Sequence, residues 1–429
     1  MQKIAIVIFA LCCALLSAQA AFSATQADNE VVRWNQTLLE ILRTPGAHPP
    51  TVHPTRSFAL MHAAIYAAVN AIDRTHRPYM VEIPGLAQQA SQQAAATTAA
   101  HRVLRQLYPK SQAMLDAQSG ELLALIPDAT AKRLGIQIGN TVADQIVARR
   151  SNDGSNAQPI PYSPGPNAGD YQHTPLNFPQ PVFTHWAHVT PFTLIRADQF
   201  RPGHPPKLTG RKYTAAFQEV KELGAIGSTT RSAEQTQIGR FWNAPIQNYW
   251  NEIAQTTALA QHLSLAQSAR LFALLNLTLA DSVIAFYDTK YTYAFWRPVS
   301  AIRLAESDGN PDTTADPGWL PLTTNTAPDP SYPGAHSVIS AAAAAVLRDL
   351  FDSDDVSFAV HSELLPGVKR SFSSFSAAAE EAGLSRIYAG VHFRFDHTSG
   401  RRLGRDIAEY VFDDFLVARR QRERESNSR

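Results

Sequence analysis

The sequence has only two cysteines among its 429 residues, Cys12 and Cys13, and both lie in the first 20 residues. That segment combines Lys3, a long apolar stretch and Ala18-Gln19-Ala20, which is the pattern of a secretory signal peptide with an A-x-A cleavage site. The alternative interpretation is a buried core helix. We expect cleavage near Ala20 and a periplasmic or secreted protein. The mature chain then has no cysteine, which excludes disulfides, thiolate metal sites and cysteine nucleophiles.

Charge is scarce and balanced. Charged residues make up 17% of the chain, against roughly 25% in an average protein, and 38 Lys plus Arg nearly cancel 37 Asp plus Glu. Because no basic excess exists, we expect no nucleic-acid partner. Long apolar runs are also missing after the N-terminal segment. The longest, residues 341–347, is far short of the roughly 18 to 20 residues that cross a bilayer, so we expect no membrane span.

Three widespread catalytic motifs are absent: the phosphate loop G-x-x-x-x-G-K-[ST], the nucleophile elbow G-x-S-x-G and the zinc motif H-E-x-x-H. What is present is a helical hydrophobic pattern nearly throughout, with no run of strands. The sequence therefore predicts an all-α helical bundle. The predicted helices cover residues 58–72, 91–107, 131–149, 337–351 and 374–388, several helices within 235–304, and a last helix with Leu403, Ile407, Val411 and Phe415 on one face.

Proline is abundant, with 28 residues, and residues 159–206 form a long segment dense in Pro, Gly, Asn and aromatics. Because its aromatic side chains favour burial, we interpret it as a loop packed over a site rather than a linker. We divide the chain into an N-terminal helical region with this loop (21–270), a helical region (271–418) and a charged tail (419–429). The two helical regions are expected to form one compact unit.

The first segment with chemical content contains Lys290 and Arg297. Seven residues correspond to about two helical turns, so this spacing predicts two cations on one helix face. The neighbouring residues are mostly aromatic, and poorly hydrated cations there would need an anion. The alternative is a pair of surface side chains whose charged ends reach water.

The second segment is Pro333-Gly334-Ala335-His336, directly before a strong helical pattern. Free N–H groups at a helix start form an anion site, and the imidazole of His336 next to it can donate or accept a proton. The alternative is a histidine that only neighbours a helix cap.

The third segment contains Arg386, Gly390, His392 and Asp396. The guanidinium of Arg386 offers several donors to an oxyanion, and Gly390 lets the backbone come close. Asp396, four residues after His392, is placed to hold the second ring nitrogen of that histidine. The alternative role of Asp396 is the N-cap of the last helix, and the two roles are compatible. Together the three segments suit a tetrahedral oxyanion with two or three charges.

These segments resemble the signature of the vanadium haloperoxidase and type 2 phosphatidic acid phosphatase superfamily, which reads Lys-x6-Arg-Pro, Pro-Ser-Gly-His and Ser-Arg-x3-Gly-x-His-x3-Asp. Over most of its length the chain is similar to the bacterial vanadium-dependent haloperoxidase branch. Further matching features are His62-Ala-Ala-Ile-Tyr66, Val189-Thr-Pro-Phe192, Arg240-Phe-Trp-Asn243 and Asp308-Gly-Asn-Pro311.

The resemblance implies a helical bundle with a vanadate or phosphate site. In it, His392 is the vanadium ligand of a peroxidase or the nucleophile of a phosphatase, and His336 is the acid/base. The oxyanion is bound by Lys290, Arg297, Arg386 and the segment Gly334-Ala335, with Asp396 supporting His392.

Three positions depart from the family pattern. Gly334 replaces the usual Ser and Ala335 the usual Gly, and Ala67 stands where an Asp is expected. The missing hydroxyl removes a donor worth roughly 1.5–3 kcal/mol when its partner is charged.

We therefore expect an exported haloperoxidase-like enzyme with a vanadate cofactor, acting on hydrogen peroxide and halide. One alternative is a soluble acid phosphatase that hydrolyses phosphate esters through His392 and needs no cofactor. Another is an inactive oxyanion-binding protein, which the change at Gly334 and Ala335 suggests. A homo-oligomer is compatible with the sequence, which does not identify the halide or the organic substrate.

Overall fold

The computed structural model describes residues 29–83, 87–324 and 326–419. The predicted signal peptide and nearly all of the predicted charged tail lie outside these residues. Helices form at α1 Glu30–Arg43, α2 Pro54–Asp73, α3 Gln92–Leu107, α4 Gln112–Ala124, α5 Thr130–Arg149, α6 Arg211–Gly224, α7 Ala233–Phe241, α8 Ile246–Ala260, α9 Leu265–Tyr293, α10 Pro298–Arg303, α11 Ala335–Phe351, α12 Phe375–Tyr388 and α13 Arg394–Asp414.

The predicted all-α class is confirmed. The helices expected from periodicity are present with small shifts of their ends, and the region 235–304 contains four separate helices. The described residues also contain two short strands that the sequence pattern did not reveal, β1 Phe358–His361 and β2 Lys369–Phe372. They pair antiparallel, with Phe358 opposite Phe372. Each is only four residues long, too short for a clear alternation of polar and apolar residues.

Helix α9 lies at the centre of the bundle. It packs against α2 on one side and against α11 on the other, so apolar residues from both halves of the chain share one core. Within the described residues, α9 is the one helix that is both long enough and apolar enough to cross a membrane. However, 94% of its most apolar stretch is buried inside the fold. Its hydrophobicity is therefore explained by its place in the core.

Helices α11 and α13 cross at very short distance, which brings the start of α11 next to the start of α13. A Cβ atom added to Gly404 would lie 2.2 Å from the backbone oxygen of Val338, and one added to Gly400 would lie 2.9 Å from that of Gly334. Both glycines are therefore required by the approach of the two backbones.

The Pro-rich segment packs over the link between α9 and α10, as its aromatic content predicts. The Tyr171 N–H donates to the Ala294 oxygen at 2.6 Å, and the Trp296 N–H donates to the Gly169 oxygen at 2.9 Å. Farther along, the Val182 N–H donates to the Pro328 oxygen at 2.9 Å. The loop thus covers both chain segments that lead into the region described next.

A buried carboxylate of α9 fixes the end of this loop. Asp281 accepts hydrogen bonds from the backbone N–H groups of Phe192, Thr193 and Leu194 at 2.6–2.9 Å. The Val189-Thr-Pro-Phe192 motif therefore has a structural role, because it fixes the end of the loop to α9.

Candidate active site

The three sequence segments converge. The end of α9 supplies Lys290, the start of α10 supplies Arg297, and the end of α12 supplies Arg386. The first turn of α11 supplies His336, the segment before α13 supplies His392, and the first turn of α13 supplies Asp396. Hydrogen bonds connect Lys290 to Arg297 through Asp329, Arg297 to His392, and His392 to Asp396.

Lys290 and Arg297 do not share a helix face, so the predicted geometry of this pair is wrong. Helix α9 ends at Tyr293, and Ala294 takes a left-handed conformation with φ 42°. Arg297 is the N-cap of α10. The two cations meet because the chain reverses between them and both contact Asp329.

The ammonium of Lys290 is fully buried and directed at the loop before α11. It donates to the Asp329 carboxylate at 3.1 Å, to the Ser331 carbonyl oxygen at 3.3 Å and to the Pro330 carbonyl oxygen. Burial lowers the pKa of Lys290 to about 8, against the opposing effect of Asp329. An ammonium has three N–H donors, so these contacts account for all of them.

The guanidinium of Arg297 is almost as fully engaged. Its Nε donates to the backbone oxygen of Asp329 at 2.8 Å, and its Nη2 donates to the carboxylate of the same residue. Its Nη1 lies 2.8 Å from the Val391 carbonyl oxygen and 3.0 Å from Nε2 of His392. Arg297 thus joins the loop before α11 to the segment before α13.

The carboxylate of Asp396 contacts the ring nitrogen of His392 that faces away from Arg297, as the sequence spacing predicts. Its Nδ1 lies 2.9 Å from Oδ2 of Asp396, so these partners assign the proton to Nδ1 and leave the Nε2 lone pair facing Arg297. Burial, followed by the charges of Arg297 and Lys290, holds the pKa of His392 well below its ordinary value. The imidazole is therefore neutral at neutral pH.

Asp396 supports His392 and also organises the start of α13. It is the third residue of that helix rather than its N-cap, which is Phe393. Its Oδ2 accepts from the Phe393 N–H at 2.9 Å and from the Ser331 hydroxyl at 2.5 Å. Burial raises the pKa of Asp396 to about 6, which leaves the carboxylate charged at neutral pH.

Arg386 is a buried cation that pairs with no carboxylate among the described residues. Its side chain is 8% exposed, and its Nη1 donates to the amide oxygen of Asn243 at 2.9 Å. Its Nε is buried and has no hydrogen-bond partner among the described residues. Burial, and next the charge of Arg297, lower the pKa of Arg386 to about 9. A guanidinium in this state lacks an anion.

His336 lies in the first turn of α11, behind Gly334 and Ala335. Its Nε2 donates to the Trp242 carbonyl oxygen at 2.8 Å, which leaves Nδ1 as the ring acceptor. Burial, and then the charge of Arg386, hold the pKa of His336 well below its ordinary value. Gly334 is the N-cap and offers no side-chain cap, while the Ala335 N–H is among those that a helix start leaves unpaired.

Gly390 provides a close approach, though to protein rather than to a ligand. It has φ 82°, and an added Cβ would lie 2.4 Å from the Gly224 oxygen and 2.8 Å from Cβ of Pro321. The turn between α12 and α13 therefore needs glycine here to pack against α6 and the loop before α11.

The arrangement fits a tetrahedral oxyanion. The donors are charged and buried, Arg386 has an unpaired Nε, and the helix start adds backbone N–H groups. A neutral imidazole with its Nε2 lone pair beside these cations can also serve as a ligand to a metal centre.

Comparisons with known proteins point the same way. Residues 270–419 match the family described as the second helical-bundle domain of VCPO. The vanadium chloroperoxidase of Curvularia inaequalis is 25% identical over 87% of this chain and 80% of its own length. A bacterial vanadium-dependent iodoperoxidase has the same fold with a TM-score of 0.77 and 25% identity, covering 91% of this chain and 96% of that one. The chain is a relative of the vanadium haloperoxidases.

A second solved structure supports the fold of this haloperoxidase relative. The holo form of a bacterial vanadium-dependent chloroperoxidase has a TM-score of 0.69 and 18% identity, covering 90% of this chain and 97% of that one. The fold of this chain is thus shared with that structure over most of its length.

Several site residues of this haloperoxidase relative escaped the sequence analysis. Asn243 and Trp242 belong to a motif that was noticed without a role, and they hold Arg386 and His336. Ser331 and Asp329 were missed. A count of charges would have pointed to Asp329, because two buried cations in an aromatic segment require an anion and Asp329 stands seven residues before His336.

Proposed function

We propose that this protein is an exported vanadium-dependent haloperoxidase that holds vanadate at His392 and oxidises halide with hydrogen peroxide. The overall reaction converts halide, hydrogen peroxide and one proton into hypohalous acid and water. The observation that carries the proposal is a neutral His392, fixed by Asp396, beside a buried Arg386 whose Nε has no partner in the described part of the chain. The relationship to chloroperoxidases and an iodoperoxidase supports it.

The cofactor would be bound by residues from all three segments. Nε2 of His392 is the ligand atom, and Arg386 together with the Ala335 N–H would bind the oxygens. Arg297 would contribute the Nη2 hydrogen that its contacts to Asp329, Val391 and His392 do not use. Vanadate bound there would supply a Lewis acid that activates hydrogen peroxide toward halide.

The residues of the chain have separate tasks in this reaction. Asp396 keeps the proton of His392 on Nδ1, so that Nε2 remains a lone-pair donor. Burial keeps the imidazole of His336 neutral, so the ring can accept a proton from hydrogen peroxide and return it to the departing oxygen. Arg386 neutralises oxyanion charge in a site that excludes most water.

Halogenation assays test the proposal. The apo-protein should gain halide-dependent bromination of a phenol dye when vanadate and hydrogen peroxide are added, and phosphate should compete with this gain. His392→Ala should abolish it. His361→Ala, at an exposed position of β1, is the matched control and should retain it.

Two results would contradict the proposal. Hydrolysis of p-nitrophenyl phosphate by the apo-protein, inhibited by vanadate and without bromination, identifies a phosphatase in which His392 is the nucleophile. Oxyanion binding with neither activity identifies an inactive binding protein. Export is tested separately by N-terminal sequencing of the extracellular or periplasmic protein, which should start near Ala21.

A further inference from the structure

Asp329 occupies the donors that the oxyanion site would otherwise present. Its Oδ1 accepts from Lys290 at 3.1 Å and also from Arg297. The residue is 5% exposed, and its own backbone oxygen accepts from Arg297 Nε at 2.8 Å. Since main chain and side chain are both held, the carboxylate is a fixed part of the site.

The carboxylate is charged at neutral pH. Burial alone would raise the pKa of Asp329, but the charges of Lys290 and Arg297 outweigh burial and the pKa lies below its ordinary value. The site contains three cations, Lys290, Arg297 and Arg386, and Asp329 offsets one of these charges by pairing with Lys290 and Arg297. The positive charge available to a bound anion is therefore smaller than the cationic side chains alone suggest.

We propose that Asp329 is a specificity-determining residue that weakens the binding of doubly charged tetrahedral oxyanions more than the binding of singly charged ones. This rests on the proposed function, because orthovanadate is mainly a monoanion at neutral pH whereas a phosphate monoester is mainly a dianion. Removal of the Asp329 charge would make the site more positive by one unit and favour dianions. Asp329 thereby separates a vanadate site from a phosphate site built from the same cations.

The size of the expected change in affinity depends on the charge of the bound anion. The repulsion between a fixed carboxylate and an anion is proportional to the charge of the anion. If Asp329→Asn raises the affinity for a monoanion by a given factor, the affinity for a dianion of similar size should rise by about the square of that factor. Asparagine keeps the size and the acceptor oxygen of Asp329, so the charge is the main change.

Orthovanadate and molybdate are suitable probes, since both are tetrahedral oxometalates of similar size that differ by one charge at neutral pH. Their affinities for the apo-protein are measured by calorimetry at pH 7. In Asp329→Asn, affinity should rise about tenfold for vanadate and about a hundredfold for molybdate.

Asp288→Asn is the control. Asp288 lies on the same helix as Lys290 and pairs with Arg201 at 2.7 Å, away from the site, so both affinities should stay unchanged. If Asp329→Asn does not fold, Asp329→Ser is measured in its place, and the gain in affinity for molybdate should again be about the square of the gain for vanadate.

The outcomes separate this inference from the proposed function. Equal gains for vanadate and molybdate in Asp329→Asn, or no gain, would overturn the role of Asp329, while halide oxidation could still be present. A larger gain for molybdate without any bromination would support the role of Asp329 and reject the haloperoxidase. A wild-type protein that binds neither anion rejects both.

Discussion

Arg386 is the residue at which function and stability oppose each other most directly. A buried cation is normally paired with a carboxylate, and here its partner is an amide oxygen, with Nε unsatisfied among the described residues. Such a group destabilises the ligand-free protein, and an anion that binds to it removes this destabilisation. An unpaired buried cation of this kind therefore indicates a binding site for an anion.

We predict that Arg386→Met weakens vanadate binding at least tenfold and raises the melting temperature of the ligand-free protein. The methionine fills a similar volume without a charge, and replacing a buried unpaired polar group by an apolar one is stabilising by about 1 kcal/mol or more. Calorimetric titration and thermal unfolding of the same preparations measure the two effects.

Arg370→Met is the comparison variant for that experiment. Arg370 pairs with Glu381 and Glu234 at 2.6 Å, so its loss should lower the melting temperature and leave vanadate affinity unaltered. A lower melting temperature for Arg386→Met would mean that the guanidinium is satisfied in the ligand-free protein.

At the scale of elements, the crossing of α11 and α13 sets the geometry of the site. Gly334 and His336 belong to the start of α11 and His392 precedes α13, so the separation of the two helices decides the distance between these residues. Gly400 and Gly404 allow the crossing, because side chains at those positions would meet backbone atoms of α11. Apolar periodicity marked the inner face of α13 but could not reveal how closely it approaches α11.

We predict that Gly404→Ala destabilises the protein by about 1–3 kcal/mol, the usual cost of overpacking, because the added Cβ would lie 2.2 Å from the Val338 oxygen. Vanadate affinity should also fall, since the helices must separate. Urea unfolding and calorimetry measure the two effects.

Gly120→Ala is the contrasting helix variant. Gly120 is inside α4 and exposed, and an added Cβ would meet no described atom within 4 Å. It should stabilise the protein by roughly 0.5–1 kcal/mol, because alanine favours the helix. If Gly404→Ala is as stable as wild type, the close crossing does not exist.

At the scale of the whole molecule, buried histidines determine the response to acid. Burial lowers the pKa of His53 and of His62 to about 3, and those of His336 and His392 also lie well below their ordinary value. The unfolded chain binds protons at these positions below about pH 6.5 while the folded chain does not. Their contribution to stability is therefore present near neutral pH and decreases as the pH falls below about 6.5.

We predict that the free energy of unfolding decreases between pH 7 and pH 5, and that His62→Gln makes this decrease shallower. His62 is fully buried and bonds Asn35 at 3.1 Å, a contact that a glutamine amide can replace without titrating. Removal of one such site should reduce the slope by up to about 1.4 kcal/mol per pH unit. Urea titrations at several pH values measure it, and an unchanged slope would show that His62 is protonated in the folded protein.

The sequence by itself determined the helical class, most helix positions and the residues that carry cations and imidazoles to the site. These features are local. Helical periodicity is set by neighbours three and four residues apart, and the three motifs are short. The contact between Asp396 and His392 could also be predicted, because residues four apart lie about one helical turn from each other at the start of a helix.

Only the tertiary structure decided how the cations are balanced. Asp329 lies 39 residues from Lys290 and 32 from Arg297 along the chain, and Asn243 lies 143 residues from Arg386. No periodicity relates such positions, since their contact depends on where α9 ends, how the loop before α11 returns and how closely α11 and α13 pack. The net charge of the site, and with it the choice among oxyanions, is therefore a property of long-range packing.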